Sequence, residues 1–167
     1  MLYPLSECIN KEVYEMYQDI PVKEIGSENI INGVDYDTFV VICQKYIQNE
    51  RLIDEKINTT TNRYILYDND YPIGEIGIRT TLNDFWINQG SQIFYKIRNN
   101  SRGKGYGNLI LKLALDEARK LGFKQARINC DDNNICSKKV ILKNGGILDI
   151  KSYKTPVGTS SSYIIKL

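Results

Sequence analysis

A short glycine-rich run with two basic residues is the segment of this sequence best suited to chemistry. Its residues are Arg102, Gly103, Lys104, Gly105, Tyr106 and Gly107. It lies between a predicted strand and the strongest predicted helix, and a helix N-terminus presents about four unpaired backbone N–H groups and a partial positive charge. Glycines lack Cβ atoms, so an anion can approach their backbone closely. The run therefore predicts a phosphate-binding site.

Two nucleotide-binding motifs match this run only weakly. A P-loop needs a Ser or Thr directly after its Gly-Lys pair, and neither stands in the required place near Lys104. A dinucleotide fingerprint counted from Gly103 and Gly105 needs a third glycine where the chain has Asn108. A nucleotide-phosphate enzyme stays open as an alternative.

The chain has no histidine and only four cysteines. The lack of histidine excludes His-based catalytic triads and His metal ligands. The cysteines, Cys8, Cys43, Cys130 and Cys136, show no Cys-x-x-Cys spacing, which gives no support for a zinc cluster or a dithiol redox site. We expect reduced, mostly buried cysteines and a site without metal.

The charge is nearly balanced overall but uneven along the chain. Twenty-two basic against 20 acidic side chains give a net charge of +2, which is too small for binding nucleic acid over the whole surface. Residues 85–115 contain no acidic side chain and include five basic ones. A local positive field of this kind suits a small polyanion, and a solvated basic face explains it equally well.

The length of 167 residues, with 42% hydrophobic and 25% charged residues, predicts one globular domain over 1–167. Helices are predicted at 7–19 (capped by Ser6), 36–49 (capped by Asp35), 105–121 and 134–143. Strands are predicted at 2–5, at 63–67 and 73–79 as a hairpin, and at 92–98, 126–130, 147–153 and 162–167. Residues 22–33 are predicted to form a loop.

This element order predicts a mixed α/β fold with a partly parallel centre. The strand–helix–strand unit requires a right-handed crossover, which makes the strands at 92–98 and 126–130 parallel neighbours. No uncharged apolar run approaches the roughly 20 residues of a membrane span, and the first ten residues lack the features of a signal peptide. We therefore expect a cytoplasmic protein that does not bind membranes or nucleic acid.

Several segments together resemble the GNAT superfamily of acyl-CoA-dependent N-acyltransferases. The run at 102–107 is similar to the family's [Q/R]-x-x-G-x-[G/A] loop, and residues 134–137 (NICS) and 143–146 (KNGG) are similar to its N-x-x-S and K-N-G-G segments. Residues 73–79 (IGEIGIR), followed by Leu82 and Asn83, resemble the G-E-x-x-x-R-x-x-L-N segment of a bacterial subgroup of predicted acetyltransferases. The resemblance covers nearly the whole chain. It implies the GNAT fold, a central mixed sheet with splayed parallel strands flanked by helices.

The resemblance also implies acetyl-CoA as cosubstrate and a set of residues to bind it. The backbone of Arg102, Gly103, Lys104, Gly105, Tyr106 and Gly107 would bind the pyrophosphate. Tyr95, Lys96 and Ile97 would pair their backbone with the pantetheine amides by strand addition. Asn134 would reach the pantetheine as well as cap its helix, and Ser137 would lie near the sulfur.

Thioester aminolysis needs a base for the amine and a donor for the leaving sulfur. The family pattern makes Glu75 the candidate base, with Asp84 in reserve. A backbone N–H near Ile97 would stabilise the oxyanion. The tyrosine that the family commonly uses as acid is replaced by Ile141, so Ser137, a water molecule or a nearby tyrosine would take its place. At another family position, where a small glycine is usual, the chain has Phe94, which would reshape the acceptor pocket.

These observations predict an N-acetyltransferase that moves an acetyl group from acetyl-CoA to a primary amine of a small molecule by direct attack in a ternary complex. A protein or peptide amine as acceptor stays open, as does a GNAT-fold module that binds acyl-CoA without transfer. The oligomeric state is also open, with a homodimer as one option.

Overall fold

The computed structural model describes residues 1–24, 27–49, 59–81, 91–155 and 158–167. Its strands are β1 (Leu2–Pro4), β2 (Lys23–Glu24), β3 (Ser27–Glu28), β4 (Thr61–Asp68), β5 (Tyr71–Arg79), β6 (Ile93–Ile97), β7 (Gln125–Asp131), β8 (Ile147–Thr155) and β9 (Gly158–Lys166). Its helices are α1 (Lys11–Asp19), α2 (Tyr36–Ile47), α3 (Tyr106–Lys120) and α4 (Ile135–Lys143). In the described part of the chain, no helix is long and apolar enough to cross a bilayer.

A four-stranded antiparallel sheet with the order β1-β4-β5-β6 forms one half of the structure. The predicted hairpin is confirmed as β4 and β5, which turn at Asn69 and Asp70, and Asn69 adopts a φ of 52°. The register shifts between Leu66 and Tyr67, so that one strand has an extra residue. This β-bulge places Glu75 opposite Ile65.

The two faces of this sheet pack against different helices. Because side chains alternate along a strand, Ile65 contributes to a core formed with α1 and α2, whereas its neighbour Leu66 joins a core formed with α3 and the second sheet. Ile76 and Ile78 of β5 also belong to the α3 side. Glu75 directly precedes Ile76, so its side chain points to the opposite face, towards α1 and α2.

A three-stranded antiparallel sheet with the order β7-β9-β8 forms the other half. The predicted antiparallel pairing of the two last strands is confirmed. The last strand, β9, lies at the centre of this sheet, with β7 and β8 at its edges.

The strands predicted as parallel neighbours, β6 and β7, belong to different sheets, so the expected parallel ladder is not formed. Two hydrogen bonds join them near one end. The Gln92 N–H donates to the Arg127 carbonyl at 2.8 Å, and the Asn129 N–H donates to Ser91 Oγ at 3.1 Å. All ladders between the described strands are antiparallel.

Side-chain caps fix where three helices begin. Asp35 accepts from the Thr38 N–H at 2.7 Å and caps α2 as predicted. Helix α1 begins later than expected, because Asn10 rather than Ser6 caps it, and Ser6 lies in a 3-10 turn. Asn134 caps α4. Part of the predicted loop at 22–33 pairs as the short strands β2 and β3.

Candidate active site

The glycine-rich run lies exposed at the N-terminus of α3. Gly103 and Gly105 adopt φ values of 74° and 88°, in the left-handed region that side chains disfavour. A Cβ atom at either position would have no neighbour within 4 Å, so open space surrounds this backbone. Gly105 is the N-cap and provides no side-chain cap, and the first turn of α3 contains no acidic residue. These features leave the helix N-terminus accessible to an anion.

Side chains hold this run against the adjoining strands. The Arg102 Nε and Nη2 atoms both donate to the Ile97 carbonyl at 3.0 Å. The Tyr106 hydroxyl donates to the Asp68 carboxylate at the end of β4. Lys104 is exposed. The loop conformation is therefore tied to the ends of β4 and β6.

The backbone of β6 has one edge directed away from β5. The Arg98 N–H donates to the Ile73 carbonyl, and the Arg79 N–H donates to the Gln92 carbonyl. Hydrogen-bonded pairs alternate in an antiparallel ladder, so these two bonds fix which residues of β6 face β5. Tyr95 and Ile97 consequently direct their backbone groups towards the β7 side.

Lys96 differs from its two neighbours in this respect. The same alternation directs its backbone towards β5, where it lies opposite Glu75 in the ladder. Its ammonium donates to the Glu28 carbonyl. Of the three residues predicted for backbone pairing, the structure therefore brings Tyr95 and Ile97 to the outer edge and Lys96 to the inner one.

Residues from β6 and the start of α4 meet across the space between the two sheets. Asn134 Oδ1 accepts from the Ser137 N–H at 3.0 Å, which is the cap interaction expected from the sequence. The Tyr95 and Ser137 hydroxyl oxygens lie 3.2 Å apart. The Cys130 Sγ approaches the Asn134 carbonyl at 3.4 Å. Ile141, at the position of the family's acid, is fully buried in the core.

Glu75 is buried in the middle of β5, with 1% of its surface exposed. Its carboxylate forms an ion pair with the Arg63 guanidinium from the adjacent strand β4. The two residues are diagonal neighbours across the hairpin, since Arg63 pairs with Gly77. The candidate base is thus held in a defined position by a cation.

Aromatic rings surround this ion pair. The Arg63 guanidinium lies over the Tyr46 ring, 3.7 Å from its centroid, and 5.1 Å from that of Phe94. Arg79 lies 4.7 Å from the Phe94 centroid. The absence of a side chain at Gly77 makes room for this ring, because a Cβ there would lie 2.1 Å from Phe94 Cζ. This face of the sheet is well suited to binding cations through rings and a carboxylate.

Burial shifts the pKa values of the groups around Glu75. It raises the pKa of Tyr46 and of Cys43 to about 12. Burial and the charge of Glu75 raise the pKa of Tyr17 well above 10, and the hydroxyl of Tyr17 has no hydrogen-bond partner among the described residues. Burial, and after it the nearby charge of Arg63, lower the pKa of Arg79 to about 9. The cluster is therefore a poorly hydrated environment.

A cavity of about 210 Å³ opens beside the same cluster. Tyr46 and Arg63 line it together with Leu5, Asn49 and Thr61. Glu75 does not line this cavity, but it binds Arg63, which does, and it lies opposite Lys96 of β6 in the ladder.

The sequence did not identify Arg63 as part of this site. Arg63 lies two residues before the buried Ile65 on β4, and residues two apart on a strand point to the same face. This spacing could have indicated that the Arg63 side chain faces the same core. Three residues of the expected pattern, Leu82, Asn83 and the reserve base Asp84, lie outside the described residues.

A comparison with family models identifies residues 13–147 as an acetyltransferase (GNAT) domain. The chain belongs to the GNAT acetyltransferase family. It is an acyltransferase, and the expected family resemblance is confirmed. The interpretation as a module that binds acyl-CoA without transfer is therefore set aside. No curated protein sequence matches the chain.

Solved structures similar to this GNAT acetyltransferase have low sequence identity. A GNAT-family acetyltransferase from Streptococcus pneumoniae is 11% identical, with 100% of this chain and 99% of that chain covered and a TM-score of 0.64. A spermidine N-acetyltransferase from Vibrio cholerae, in complex with CoA and spermine, is 13% identical, with 99% and 94% covered and a TM-score of 0.61. An acetyltransferase from Salmonella typhimurium that modifies the N-terminal serine of ribosomal protein L7/L12 is 15% identical, with 81% and 77% covered and a TM-score of 0.57.

Proposed function

We propose that this GNAT acetyltransferase transfers an acetyl group from acetyl-CoA directly to a primary amine of a small molecule, within a ternary complex. The observation that carries the proposal is the position of Glu75. Its buried carboxylate binds Arg63, which lines the cavity, and its strand β5 lies between β4 and β6, the strand whose outer edge presents Tyr95 and Ile97. An amine on one side and a thioester on the other would meet at this carboxylate.

The donor side fits the chemistry of coenzyme A. The N–H groups at the start of α3, from Arg102 to Gly107, would bind the pyrophosphate, and Lys104 would add charge. The outward backbone groups of Tyr95 and Ile97 would pair with the pantetheine amides, which is the strand-addition mode of recognition. Asn134 would contact the same arm. In this proposal β6 and β7 splay apart as parallel strands beyond the bond between Gln92 and Arg127, and the pantetheine occupies the gap.

On the acceptor side, Glu75 would receive the proton that the amine loses. An alkyl ammonium has a pKa near 10.4, so the amine attacks only after it is deprotonated. An acceptor in the cavity would share the Glu75 carboxylate with Arg63, whose guanidinium already lies over the rings of Tyr46 and Phe94. A backbone N–H near Ile97 would donate to the oxyanion.

A small acceptor is favoured by the size of the cavity, which at about 210 Å³ accommodates a short amine chain. Two of the similar structures correspond to the two alternatives, since one is a polyamine acetyltransferase and the other modifies a ribosomal protein N-terminus. The acceptor class is therefore the part of the proposal that needs a direct test.

The test compares acetyl transfer from acetyl-CoA to spermidine, spermine and a short peptide with an N-terminal serine. Products are followed by mass spectrometry, because the exposed Cys136 would react with thiol reagents. We expect kcat/KM to be at least about tenfold higher for a polyamine than for the peptide, a difference of about 1.4 kcal/mol. A preference for the peptide would overturn the small-molecule assignment and leave the acetyltransferase activity standing.

A further inference from the structure

The ring of Tyr95 lies in the space between the first turns of α3 and α4. A Cβ atom placed on Gly107 would lie 3.9 Å from this ring and 3.4 Å from Val140 of α4. The hydroxyl of Tyr95 lies 3.2 Å from Ser137 Oγ. A side chain from β6 thus contacts the Ser137 hydroxyl, which the family resemblance would place near the coenzyme A sulfur.

Ser137 is restrained on its backbone side, while its hydroxyl remains available for donation. Its N–H donates to Asn134 Oδ1, which fixes the residue in the first turn of α4. When the Tyr95 hydroxyl donates to Ser137 Oγ, the serine hydrogen is left to point elsewhere. Burial raises the pKa of the nearby Cys130 thiol, and the hydrogen bond from Ser137 acts in the opposite direction.

The core packing explains why another donor is needed. The usual position of the acid is occupied by Ile141, which is fully buried and would contact a Cβ placed on Gly146 at 2.5 Å. A side chain at this position is part of the core. Among the described residues near α4, the hydroxyls of Ser137 and Tyr95 form the linked pair that bridges the two sheets.

We propose that Tyr95 is a positioning residue that orients the Ser137 hydroxyl towards the thioester sulfur. This inference rests on the proposed function. As the amine forms its bond to the acetyl carbon, the bond between that carbon and sulfur breaks and its electron pair goes to sulfur. Ser137 donates a hydrogen bond to this developing thiolate, and Tyr95 donates to Ser137. Glu75 takes the first proton from the alkyl ammonium before the attack, and the nitrogen releases its second proton to solvent as the amide forms. The thiolate takes a proton from solvent after release.

The ionisation of Tyr95 is consistent with a donor. Burial raises the pKa of its hydroxyl above 10, and the hydrogen bond with Ser137 lowers it in part. The hydroxyl therefore stays protonated at neutral pH and keeps a hydrogen to donate.

The first experiment measures the pKa of the coenzyme A thiol bound to the protein and needs no acceptor. Thiolate absorbance is titrated with coenzyme A and corrected with desulfo-coenzyme A. In the unmodified protein we expect the pKa of the bound thiol to be lowered by about one unit from that of free coenzyme A titrated in the same buffer. In Tyr95→Phe, which removes only the hydroxyl, most of this shift is lost. Tyr163→Phe, a buried tyrosine of the same core, keeps it.

The second experiment is a double-mutant cycle on turnover with Tyr95→Phe and Ser137→Ala. We expect Tyr95→Phe to lower kcat about tenfold with KM for acetyl-CoA within about twofold, since one donor at the reacting charge is worth up to 10²–10³. In the Ser137→Ala background Tyr95→Phe has no further effect, because the two residues act as one unit. Tyr95→Phe with normal turnover, or with an effect confined to KM, would overturn the proposal.

The two proposals fail in distinguishable ways. If the unmodified protein does not bind coenzyme A, or binds it and transfers no acetyl group to any amine tested, the proposed function fails first. If it binds coenzyme A and the bound thiol has the same pKa in Tyr95→Phe, only the positioning role of Tyr95 fails. If Ser137→Ala does not fold, the thiol pKa in Tyr95→Phe compared with that in Tyr163→Phe still tests the positioning role of Tyr95.

Discussion

The two sides of the candidate site recognise their ligands by different means. The donor side consists of backbone, namely the exposed glycine run before α3 and the outer edge of the partly buried strand β6. The acceptor side consists of buried side chains, namely the ion pair of Glu75 and Arg63 among aromatic rings. The donor side offers backbone N–H and carbonyl groups, which any sequence with the same backbone conformation provides. The acceptor side depends on particular side chains. We therefore expect donor binding and turnover to respond to separate substitutions.

The largest expected effect is the loss of coenzyme A binding in Gly105→Glu. The side chain would enter the open space next to the helix N-terminus and place a negative charge beside the pyrophosphate. Like charges in contact cost several kcal/mol, so titration calorimetry should show at least about a 100-fold loss of affinity.

Gly122→Glu is the matched control for this prediction. Gly122 has a φ of 86° and open surroundings too, but it lies just past the other end of α3. Both variants should lose about 1 kcal/mol of stability from the left-handed conformation. Equal coenzyme A affinity in the two variants would place the pyrophosphate elsewhere.

Next in size is the effect of Glu75→Gln on turnover. Loss of the base should lower kcat about 100-fold and leave coenzyme A affinity within about twofold. Because Arg63 also loses a buried partner, thermal melts should show a loss of about 3 kcal/mol. Glu117→Gln, which breaks an exposed ion pair with Lys120, should change stability by less than about 1 kcal/mol. Normal turnover in Glu75→Gln would remove this residue from the mechanism.

A smaller effect is expected for Asn134→Ala, which tests whether the cap also contacts the ligand. Loss of the cap should cost about 1 kcal/mol of stability, and coenzyme A affinity should fall about fivefold. Asn10→Ala removes an equivalent cap, the 2.9 Å bond to the Val13 N–H of α1. We expect the two variants to lose a similar amount of thermal stability, and only Asn134→Ala to bind coenzyme A more weakly. If both variants bind coenzyme A normally, Asn134 acts only as a helix cap.

The smallest effect is expected for Tyr17→Phe, next to Glu75. Its buried hydroxyl has no partner among the described residues, so its removal should leave the free energy of unfolding unchanged or raise it by about 1 kcal/mol.

The stability of Tyr17→Phe is also expected to differ from that of the unmodified protein at alkaline pH. Burial and the charge of Glu75 raise the pKa of Tyr17, so the folded protein holds this proton at a pH at which the unfolded chain has lost it. The resulting stabilisation is fully present below about pH 10 and is lost as the pH rises further. Melts between pH 9 and 11 should therefore show a shallower alkaline decline for Tyr17→Phe. A steeper decline would contradict the raised pKa.

This difference between the two sides also explains what the sequence could predict. The donor side depends on local signals: a glycine run, a helix start and the cap at Asn134, all within short stretches of chain. The helices and the hairpin follow from periodicity in the same way. The cap at Asn10 was missed because Ser6 is an equally good cap in sequence, and only the 3-10 turn at Leu5–Glu7 decides between them.

The acceptor side depends on the register in which β4 pairs with β5, and no local sequence pattern predicts that register. At its turn the hairpin pairs Asp68 with Tyr71 and Tyr67 with Pro72, so an unbroken ladder would place Glu75 opposite Tyr64. The bulge instead places it opposite Ile65, and a shift of one residue moves every side chain to the other face. The partnership of Glu75 with Arg63 is a consequence of that bulge. The division into two sheets was missed because it depends on contacts between distant parts of the chain.

The central place of β9 has a consequence for biosynthesis. Strands β7 and β8 are not neighbours, and each pairs with Gly158–Lys166, which a ribosome makes after both. During synthesis the hairpin of β4 and β5 can pair early. The sheet of β7, β8 and β9, which flanks Asn134 and Ser137 in the chain, cannot form until these last residues have been made. A nascent chain stopped before residue 158 would therefore have a ready acceptor face and no partner for β7.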